Sequence, residues 1–353
     1  MTMKAVVVHG PGDIRYVDMP LPRPGPAEAL VKMRAAGICS SDLPRAVGDV
    51  AYFYPIVLGH EMAGQVVELG KEVKGVRIGD RYAVAPLLPC WRCEWCQRGR
   101  YSLCDDYSYL GSRTHGAYAE YVTAPVKNLV PLPPQVDYES GAMLEPAAVI
   151  LHGLGRAGVM PGDDVAVVGA GPLGLLAIQL SRIMGAGRVF AIDLVAAKLE
   201  VAESLGAQAC LGEGAAATIY EVTLGHGVDL VVETAGTAQA QESCLDLARK
   251  GGRVLYLGIP EREVHLSRAA MQRLVREELT IYGAWNSYSA PFPGYEWHAS
   301  LIYMARGQLQ TKPLITHRFT LQQAKEAFIM MKEEKEFFNK VMFIEGGEDE
   351  VHG

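Results

Sequence analysis

The stretch Asp164-Val-Ala-Val-Val-Gly-Ala-Gly-Pro-Leu-Gly174 joins an apolar strand to a glycine-rich turn of the form G-x-G-x-x-G. A helix is predicted over Leu175–Met184 and a second strand over Arg188–Asp193, so the turn opens a helix and the next strand ends on an acidic residue. The glycines allow a tight turn and close approach of a pyrophosphate, to which the helix N-terminus offers free N–H groups. This context predicts a dinucleotide-binding fold, with a plain strand–helix–strand turn as the alternative.

The acidic end of the second strand decides which dinucleotide is expected. Asp193 can accept hydrogen bonds from both hydroxyls of the adenosine ribose, and its charge would repel a 2′-phosphate. No arginine follows it directly, so NAD is preferred over NADP. The residues expected to bind the cofactor are Gly169, Gly171, Pro172, Leu173, Gly174, Asp193, Lys198, Thr234 and Gly258.

Strands and helices keep alternating as far as residue 285, which predicts a parallel, doubly wound sheet. We expect a Rossmann NAD-binding domain over residues 151–285, with its ligand at the carboxyl ends of the strands. An aromatic, proline-rich stretch then leads back to the first part of the chain, so the catalytic domain is expected to comprise 1–150 and 286–353. The acidic tail 345–353 is expected to fray.

The first part of the chain is rich in short strands separated by glycine and proline. A hairpin is predicted from Lys4–His9 and Ile14–Val17, and further strands from Ala29–Ala35, Glu61–Gly70 and Asp80–Ala85. This punctuation is typical of an antiparallel, barrel-like domain. The fold class is therefore α/β, with a β-rich domain beside a doubly wound sheet.

Residues 86–109 contain four cysteines with the spacing C-x2-C-x2-C-x7-C: Cys90, Cys93, Cys96 and Cys104. Four thiolates so close in sequence suit a closed tetrahedral zinc site that folds a lobe lacking a core of its own. Buried free cysteines and a [2Fe–2S] cluster are the alternatives. A structural zinc lobe is predicted.

Charge and hydropathy exclude several classes of partner. Lys and Arg number 33 and Asp and Glu 40, a net charge of −7, which argues against nucleic acid as a main partner. The N-terminus shows no signal-peptide pattern, and no apolar run is long enough to span a membrane. A cytoplasmic enzyme acting on a small molecule is expected.

A second metal site is suggested by Gly37-Ile-Cys39 and Gly59-His60-Glu61, with Glu145 in a helix predicted over 140–160. A cysteine, a histidine and a carboxylate would make a mixed zinc site with one position open, as catalytic zinc sites have. Glu61 and Glu145 are the two candidate carboxylates, and Glu61 is also a candidate for a catalytic group that exchanges with the substrate. The alternative for His60 is a hydrogen-bonded core histidine.

Two of the polar residues after Cys39, Ser41 and Asp42, are candidate catalytic groups. Ser41 can both donate and accept a proton, which suits a route for the hydroxyl proton of an alcohol. Asp42 is placed to orient the imidazole of His60 through a hydrogen bond. A turn or a helix cap is the alternative for both.

These motifs, in this order, resemble those of the zinc-dependent medium-chain dehydrogenases over almost the whole chain. The resemblance implies a GroES-like catalytic domain, a Rossmann domain, two zinc ions per chain and NAD. It implies that Cys39, His60 and Glu145 hold the catalytic zinc, with Glu61 near enough to ligate in some states. Alcohol dehydrogenases proper have a cysteine in place of Glu145, so the chain is most similar to the polyol-oxidising branch.

The loops Cys39–Arg45, Tyr54–Glu61 and Trp285–Trp297 resemble those of enzymes that oxidise a polyol phosphate. Arg45 and Arg113 are candidate phosphate ligands, and Trp285 and Asn286 candidate pocket residues; ordinary surface arginines and core aromatics are the alternatives. A neutral polyol, butanediol or threonine dehydrogenase remains open, as does a non-catalytic NAD-binding relative. A homodimer or homotetramer is expected through edge strands of the NAD-binding domain.

Overall fold

In a computed structural model, residues 1–260 and 262–345 are described, apart from the side chain of Glu213. The end of the tail predicted to fray, residues 346–353, lies outside the described residues. The chain divides into two compact units. The first comprises Met1–Glu145, Tyr288–Gly307 and Ile315–Gly353, and the second comprises Pro146–Ser287 and Gln308–Leu314. The catalytic and NAD-binding roles expected for 1–150 with 286–353 and for 151–285 stay predictions.

The elements of both units are numbered along the chain. The strands are β1 (Thr2–Gly10), β2 (Asp13–Pro20), β3 (Glu28–Ile38), β4 (Glu61–Leu69), β5 (Arg81–Val84), β6 (Leu87–Leu88), β7 (Ser108–Tyr109), β8 (Tyr121–Pro125), β9 (Leu129–Pro131), β10 (Asp164–Val168), β11 (Arg188–Asp193), β12 (Gln208–Leu211), β13 (Val228–Glu233), β14 (Ala248–Tyr256), β15 (Thr280–Gly283), β16 (Ile315–Phe319) and β17 (Lys340–Ile344). The helices are α1 (Asp42–Val47), α2 (Glu94–Gln97), α3 (Tyr138–Ala142), α4 (Leu144–Ala157), α5 (Pro172–Ile183), α6 (Ala196–Ser204), α7 (Ala215–Val222), α8 (Ala238–Leu247), α9 (Arg268–Arg276), α10 (Tyr295–Ala305) and α11 (Ala324–Glu333). Short 3₁₀ turns cover Tyr101–Leu103, Val126–Asn128, Gly212–Gly214, Lys312–Leu314 and Leu321–Gln323.

The second unit is built on a parallel sheet with the strand order β12-β11-β10-β13-β14-β15. A helix connects each strand to the next one along the chain, which is the doubly wound arrangement of dinucleotide-binding folds. The central strands β10 and β13 are almost wholly buried, so their sequences are continuous apolar runs and do not alternate. The predicted α/β class and parallel sheet are confirmed.

Strand β15 is the edge of this sheet and pairs only with β14 among the described strands. Three of its four residues are exposed. Its outer N–H and C=O groups are therefore available for pairing with another strand.

The first unit contains the hairpin β1–β2, paired in antiparallel fashion from Thr2↔Pro20 onward, which confirms the predicted hairpin. Its main sheet has the order β16-β17-β3-β4-β5-β9, and β8 also pairs with β3. β3 and β4 run antiparallel with Gly37 opposite Glu61. The end of β3 and the start of β4 therefore lie side by side, which brings Cys39 close to His60.

The single helix expected over 140–160 is two helices, α3 and α4. Asp137 accepts a hydrogen bond from the backbone N–H of Ser140 at 2.8 Å and so starts α3 before the predicted helix. Met143 ends α3, and Leu144 begins α4. Glu145 is consequently in the first turn of its helix. No helix in the described part of the chain is both long and apolar enough to cross a bilayer.

Candidate active site

The glycine-rich turn after β10 has the geometry that its sequence predicts. Gly169 has a positive φ of 95°, and a Cβ on Gly174 would overlap the carbonyl oxygen of Gly169. A Cβ on Gly171 would meet nothing within 4 Å, so this glycine opens onto free space. Gly171 caps α5 without a side-chain hydrogen bond, which leaves the N–H groups of Leu173 and Gly174 for a ligand. Pro172, which has no N–H, begins the helix.

Asp193 ends β11 and holds the glycine-rich turn against that strand through hydrogen bonds. Its carboxylate accepts from the N–H of Ala170 at 2.8 Å and from that of Val195 at 2.9 Å. Thr234 donates to the carbonyl oxygens of Val168 and Gly169 at 3.1 and 2.9 Å. These residues lie at the carboxyl ends of adjacent strands, where a dinucleotide binds in such folds. Lys198 lies in the first turns of α6.

Glu233 was not predicted from the sequence, yet it organises the next two turns. It is fully buried at the end of β13 and accepts from the N–H of Gly236 at 2.7 Å. Gln241 donates to the carbonyl oxygen of Gly258 at 2.9 Å and lies 3.5 Å from Glu233. Burial raises the pKa of Glu233, while the bonds from Gly236 and Gln241 lower it. A carboxylate at the end of an apolar strand is the signal that could have identified it.

Trp285 and Asn286, the predicted pocket residues of the second unit, follow β15. Trp285 is 46% exposed. Asn286 has a positive φ of 53°, and its buried amide nitrogen has no hydrogen-bond partner among the described residues. A donor held in this way is available to a ligand.

Cys39, His60 and Glu61 form a cluster in the first unit. Each offers one ligand atom, and these atoms all lie within 4.8 Å of one another. His60 and Glu61 are 6% and 1% exposed. A Cβ on Gly37 would overlap the Glu61 carboxylate, so glycine is required opposite it. A buried thiol, imidazole and carboxylate at this spacing fit a zinc ion.

Asp42 is wholly buried behind His60, with its Oδ1 3.4 Å from Nδ1 of the imidazole. This is an ion-pair contact and not the predicted hydrogen bond, because neither atom has a hydrogen-bond partner among the described residues. Its other oxygen accepts from the hydroxyl of Tyr118 at 2.6 Å. Burial opposes ionisation of Asp42, but the charge of His60 and the bond from Tyr118 lower its pKa. Since Nδ1 faces Asp42, Nε2 is the nitrogen left for a metal. The Ser41 hydroxyl donates to Cys39 Sγ at 3.3 Å.

Glu145 lies near this cluster but outside the group of ligand atoms within 4.8 Å. It is 7% exposed, and the Tyr109 hydroxyl donates to its Oε1 at 3.0 Å. Burial raises its pKa to about 7; the charge of His60 lowers it and that of Glu61 raises it. A cation placed among these carboxylates would offset the free-energy cost of keeping Glu145 ionised in a buried position, which again fits a metal.

Lys340 was not predicted from the sequence, yet it contacts the candidate metal ligand Glu61. It opens β17, is 3% exposed, and donates to both oxygens of Glu61 at 2.8 and 2.6 Å and to the Ile38 carbonyl at 3.2 Å. Burial alone would lower its pKa, but the charges of Glu61 and Cys39 raise it. Glu61 would therefore have to share an oxygen with Lys340 when it binds a metal. A lysine at the start of an otherwise apolar strand was the available signal.

The four cysteines of the lobe also converge, with their sulfur atoms within 4.8 Å of one another. The backbone N–H of Cys90 donates to Cys104 Sγ at 3.2 Å, and that of Cys93 donates to Cys90 Sγ at 3.4 Å. Backbone N–H groups of Arg92 and Cys93 lower the pKa of Cys90 to about 6. Thiolates stabilised by N–H groups at this spacing fit a closed tetrahedral zinc site.

The two candidate phosphate ligands differ in their surroundings. Arg45 donates to the backbone carbonyl of Ser41, the residue before α1, at 2.6 Å. Arg113 contacts the rings of Tyr52 and Tyr107, with its guanidinium carbon 4.5 and 4.4 Å from their centroids.

Comparison with known proteins places this geometry in a family. The alcohol dehydrogenase GroES-like domain matches residues 25–134, and the zinc-binding dehydrogenase domain matches residues 172–300. Galactitol 1-phosphate 5-dehydrogenase of Escherichia coli (strain K12) is 37% identical over 320 residues, which cover 90% of this chain and 92% of that protein. The chain belongs to the zinc-dependent medium-chain dehydrogenases. Its cofactors are zinc and a nicotinamide dinucleotide.

Other dehydrogenases resemble this chain with similar sequence identities. Sorbitol dehydrogenase of Bacillus subtilis is 34% identical, with 92% of each chain covered. The crystal structure of galactitol-1-phosphate dehydrogenase from Escherichia coli has a TM-score of 0.92 at 35% identity and covers 97% of this chain and all of that one. A zinc-binding dehydrogenase structure from Sinorhizobium meliloti bound to NADP has a TM-score of 0.89 at 33% identity and covers 98% of this chain and all of that one. The chain is thus an oxidoreductase of the alcohol and polyol dehydrogenase family.

Proposed function

We propose that the chain oxidises a secondary hydroxyl of a sugar alcohol phosphate, converting galactitol 1-phosphate to tagatose 6-phosphate. The carbinol carbon gives a hydride to NAD and the hydroxyl gives a proton to solvent, so the products are the ketone, NADH and H⁺. The observation that carries the polyol assignment is the oxygen-rich donor set of Cys39, His60, Glu61 and the nearby Glu145. The likeness to galactitol 1-phosphate 5-dehydrogenase supports the phosphate.

Cys39 and His60, with Glu61 or Glu145, are the residues proposed to hold the catalytic zinc. A zinc ion bound there supplies Lewis acidity, which makes a substrate hydroxyl more acidic. Asp42 keeps the His60 ring in place through its Nδ1 side, and Tyr118 fixes Asp42 in turn. Ser41 is the proposed carrier of the hydroxyl proton, since its hydroxyl lies 3.3 Å from Cys39 Sγ and is partly exposed.

The substrate proposal has a direct kinetic test. NAD reduction is compared with galactitol 1-phosphate, galactitol, sorbitol and threonine at equal concentrations. The phosphate ester should show the highest kcat/KM, because a phosphoryl group adds a charge-assisted contact that free polyols lack. Turnover of free polyols or threonine without turnover of the ester would contradict the assignment.

A neutral polyol is the second candidate, because sorbitol dehydrogenases of several organisms are 33–34% identical to this chain. Two results together would favour a neutral polyol as the substrate. The best substrate would carry no phosphate, and an Arg113→Ala variant would oxidise it at the full wild-type rate.

NAD is proposed as the dinucleotide on the basis of Asp193 and the absence of an adjacent arginine in the sequence. Asp193→Ala should lower the ratio of kcat/KM for NAD to that for NADP by about 10- to 100-fold, since charge-assisted bonds to the ribose are lost. Val195→Ala, two residues further on, serves as the control and should leave the ratio unchanged. A wild-type enzyme that prefers NADP would contradict the proposal.

A homodimer or homotetramer formed through the exposed edge strand β15 is also proposed. Sedimentation velocity tests it, and a monomeric mass would contradict it. The cytoplasmic location stays a prediction.

A further inference from the structure

Among the described residues, Arg113 is a cation without a carboxylate partner, and it belongs to the same unit as the proposed catalytic metal cluster. Among the described residues no carboxylate pairs with it, and its polar contacts are the hydroxyls of Tyr52 and Tyr107 at 3.4 and 3.5 Å. These bonds are long, so most of its N–H groups remain available. Many other arginines of the chain, such as Arg188, Arg253 and Arg318, pair with carboxylates.

The guanidinium is held in place by aromatic contacts and not by charge. Its central carbon lies 4.5 Å from the Tyr52 ring centroid and 4.4 Å from the Tyr107 ring centroid. Cation–π contacts of this kind fix a planar guanidinium while leaving its edge open. The edge of an arginine is the part that binds a phosphoryl group in bidentate fashion.

Aromatic contacts connect this cation to the metal cluster within the first unit. The Tyr107 ring lies 6.5 Å from the Tyr109 ring, and Tyr109 lies 5.8 Å from the His60 ring. Tyr109 also donates to Glu145. Exposure rises along this path, from 6% at His60 and 8% at Tyr109 to a half-buried Tyr107 and an exposed Arg113, whose other ring contact, Tyr52, is 57% exposed. Arg113 is therefore the exposed end of a series of side-chain contacts, and the metal cluster is its buried end.

We propose that Arg113, positioned by Tyr52 and Tyr107, binds the phosphoryl group of the polyol phosphate while the hydroxyl to be oxidised lies at the metal cluster. This inference rests on the proposed function and narrows it. Arg45 is left out, because its bond to the Ser41 carbonyl at 2.6 Å is far shorter than the contacts of Arg113 and holds its guanidinium against the start of α1. Arg113 selects phosphate esters over free polyols, and the two tyrosines are positioning residues that act through it.

Arg113→Met tests the proposal in the full-length, zinc-loaded enzyme. We expect kcat/KM for galactitol 1-phosphate to fall by about 10- to 100-fold, mainly through KM, while kcat/KM for galactitol changes by less than about threefold. Arg113→Lys keeps the charge but not the planar fork and should lose about 3- to 10-fold on the ester. Tyr52→Leu should raise KM for the ester and leave its kcat unchanged.

Arg100→Met is the matched control, because Arg100 also lies over an aromatic ring, that of Trp95 at 5.4 Å, but in the cysteine lobe. It should leave the ester-to-polyol ratio of kcat/KM unchanged. Suppose that the wild type oxidises the ester, and that Arg113→Met either keeps the ester-to-polyol ratio or lowers kcat/KM for both substrates by the same factor. The role of Arg113 is then overturned, while the proposed function stands. If the wild type does not oxidise the ester at all, the proposed function fails, and the role of Arg113 fails with it.

Discussion

Serine in place of Cys96 is expected to remove one zinc ion and to unfold the cysteine lobe, with a loss of several kcal/mol in the stability of the first unit. Binding of a structural zinc contributes on the order of 10 kcal/mol to the fold of such a lobe. Cys96 and Cys104 are 6% and 5% exposed, and the lobe has short elements only: a single turn of α2, a 3₁₀ turn and the two-residue strands β6 and β7. Without the metal little else would hold the four sulfur atoms together.

The loss should extend beyond the lobe, because the lobe anchors the segment after Ser287. Ser102 Oγ accepts from the backbone N–H of Tyr288 at 2.8 Å, and the rings of Tyr101 and Phe292 lie 5.4 Å apart. Tyr288 is buried, and burial together with the nearby charge of Glu145 raises its pKa. Loosening this segment therefore disturbs the surroundings of Glu145, and turnover should fall along with stability.

Thermal melts and zinc content measure this effect. The control is Cys210→Ser, which changes a buried cysteine of the second unit outside both clusters. A Cys96→Ser protein that melts within a few degrees of this control and keeps its zinc would contradict the structural role of the lobe.

Methionine in place of Lys340 is expected to destabilise the protein by about 3–5 kcal/mol, because it leaves the Glu61 carboxylate buried without a partner. The pair is 4% and 2% exposed at its side chains, with a closest approach of 2.6 Å. Zinc should reduce the loss, since a cation near Glu61 can replace the ammonium group. The destabilisation should therefore be larger after chelation than in the zinc-loaded protein.

A double-mutant cycle with Glu61→Gln isolates the pair, and the double variant should recover part of the stability lost by each single variant. Lys335→Met is the matched control, because Lys335 forms an exposed pair with Glu333 at 2.9 Å, worth about 1 kcal/mol or less. Equal melting temperatures for the Lys340 and Lys335 variants would contradict this account.

The Glu61→Gln variant also defines the role of Glu61. If it keeps zinc and loses turnover, Glu61 is a group that exchanges with the substrate. If it loses zinc, Glu61 is a permanent ligand.

The second unit could be predicted closely from the sequence, because its signals are local. The apolar run of β10, the glycine turn and the acidic end of β11 lie within 30 residues, and β11 has the predicted bounds. β12, with only four residues, and α7 were not predicted, since short elements carry little periodicity.

The surroundings of the metal cluster could not be predicted in the same way. Lys340 is 279 positions from Glu61 in the chain, and Tyr118 is 76 positions from Asp42. Such contacts depend on how β17 pairs with β3 and on where Tyr118 packs, and neither leaves a spacing that a sequence motif records. Cys39, His60 and Glu61 were identifiable because each adjoins a glycine-marked strand end.

The catalytic zinc at Cys39 and His60 is tested by the zinc content of the purified wild-type protein and of Cys39→Ser. We expect two zinc ions per chain in the wild type and one in Cys39→Ser, which should keep its lobe and its fold but lose NAD-linked alcohol oxidation. A wild-type protein with one zinc ion, or a Cys39→Ser protein that keeps two zinc ions and its activity, would contradict a catalytic zinc at Cys39 and His60.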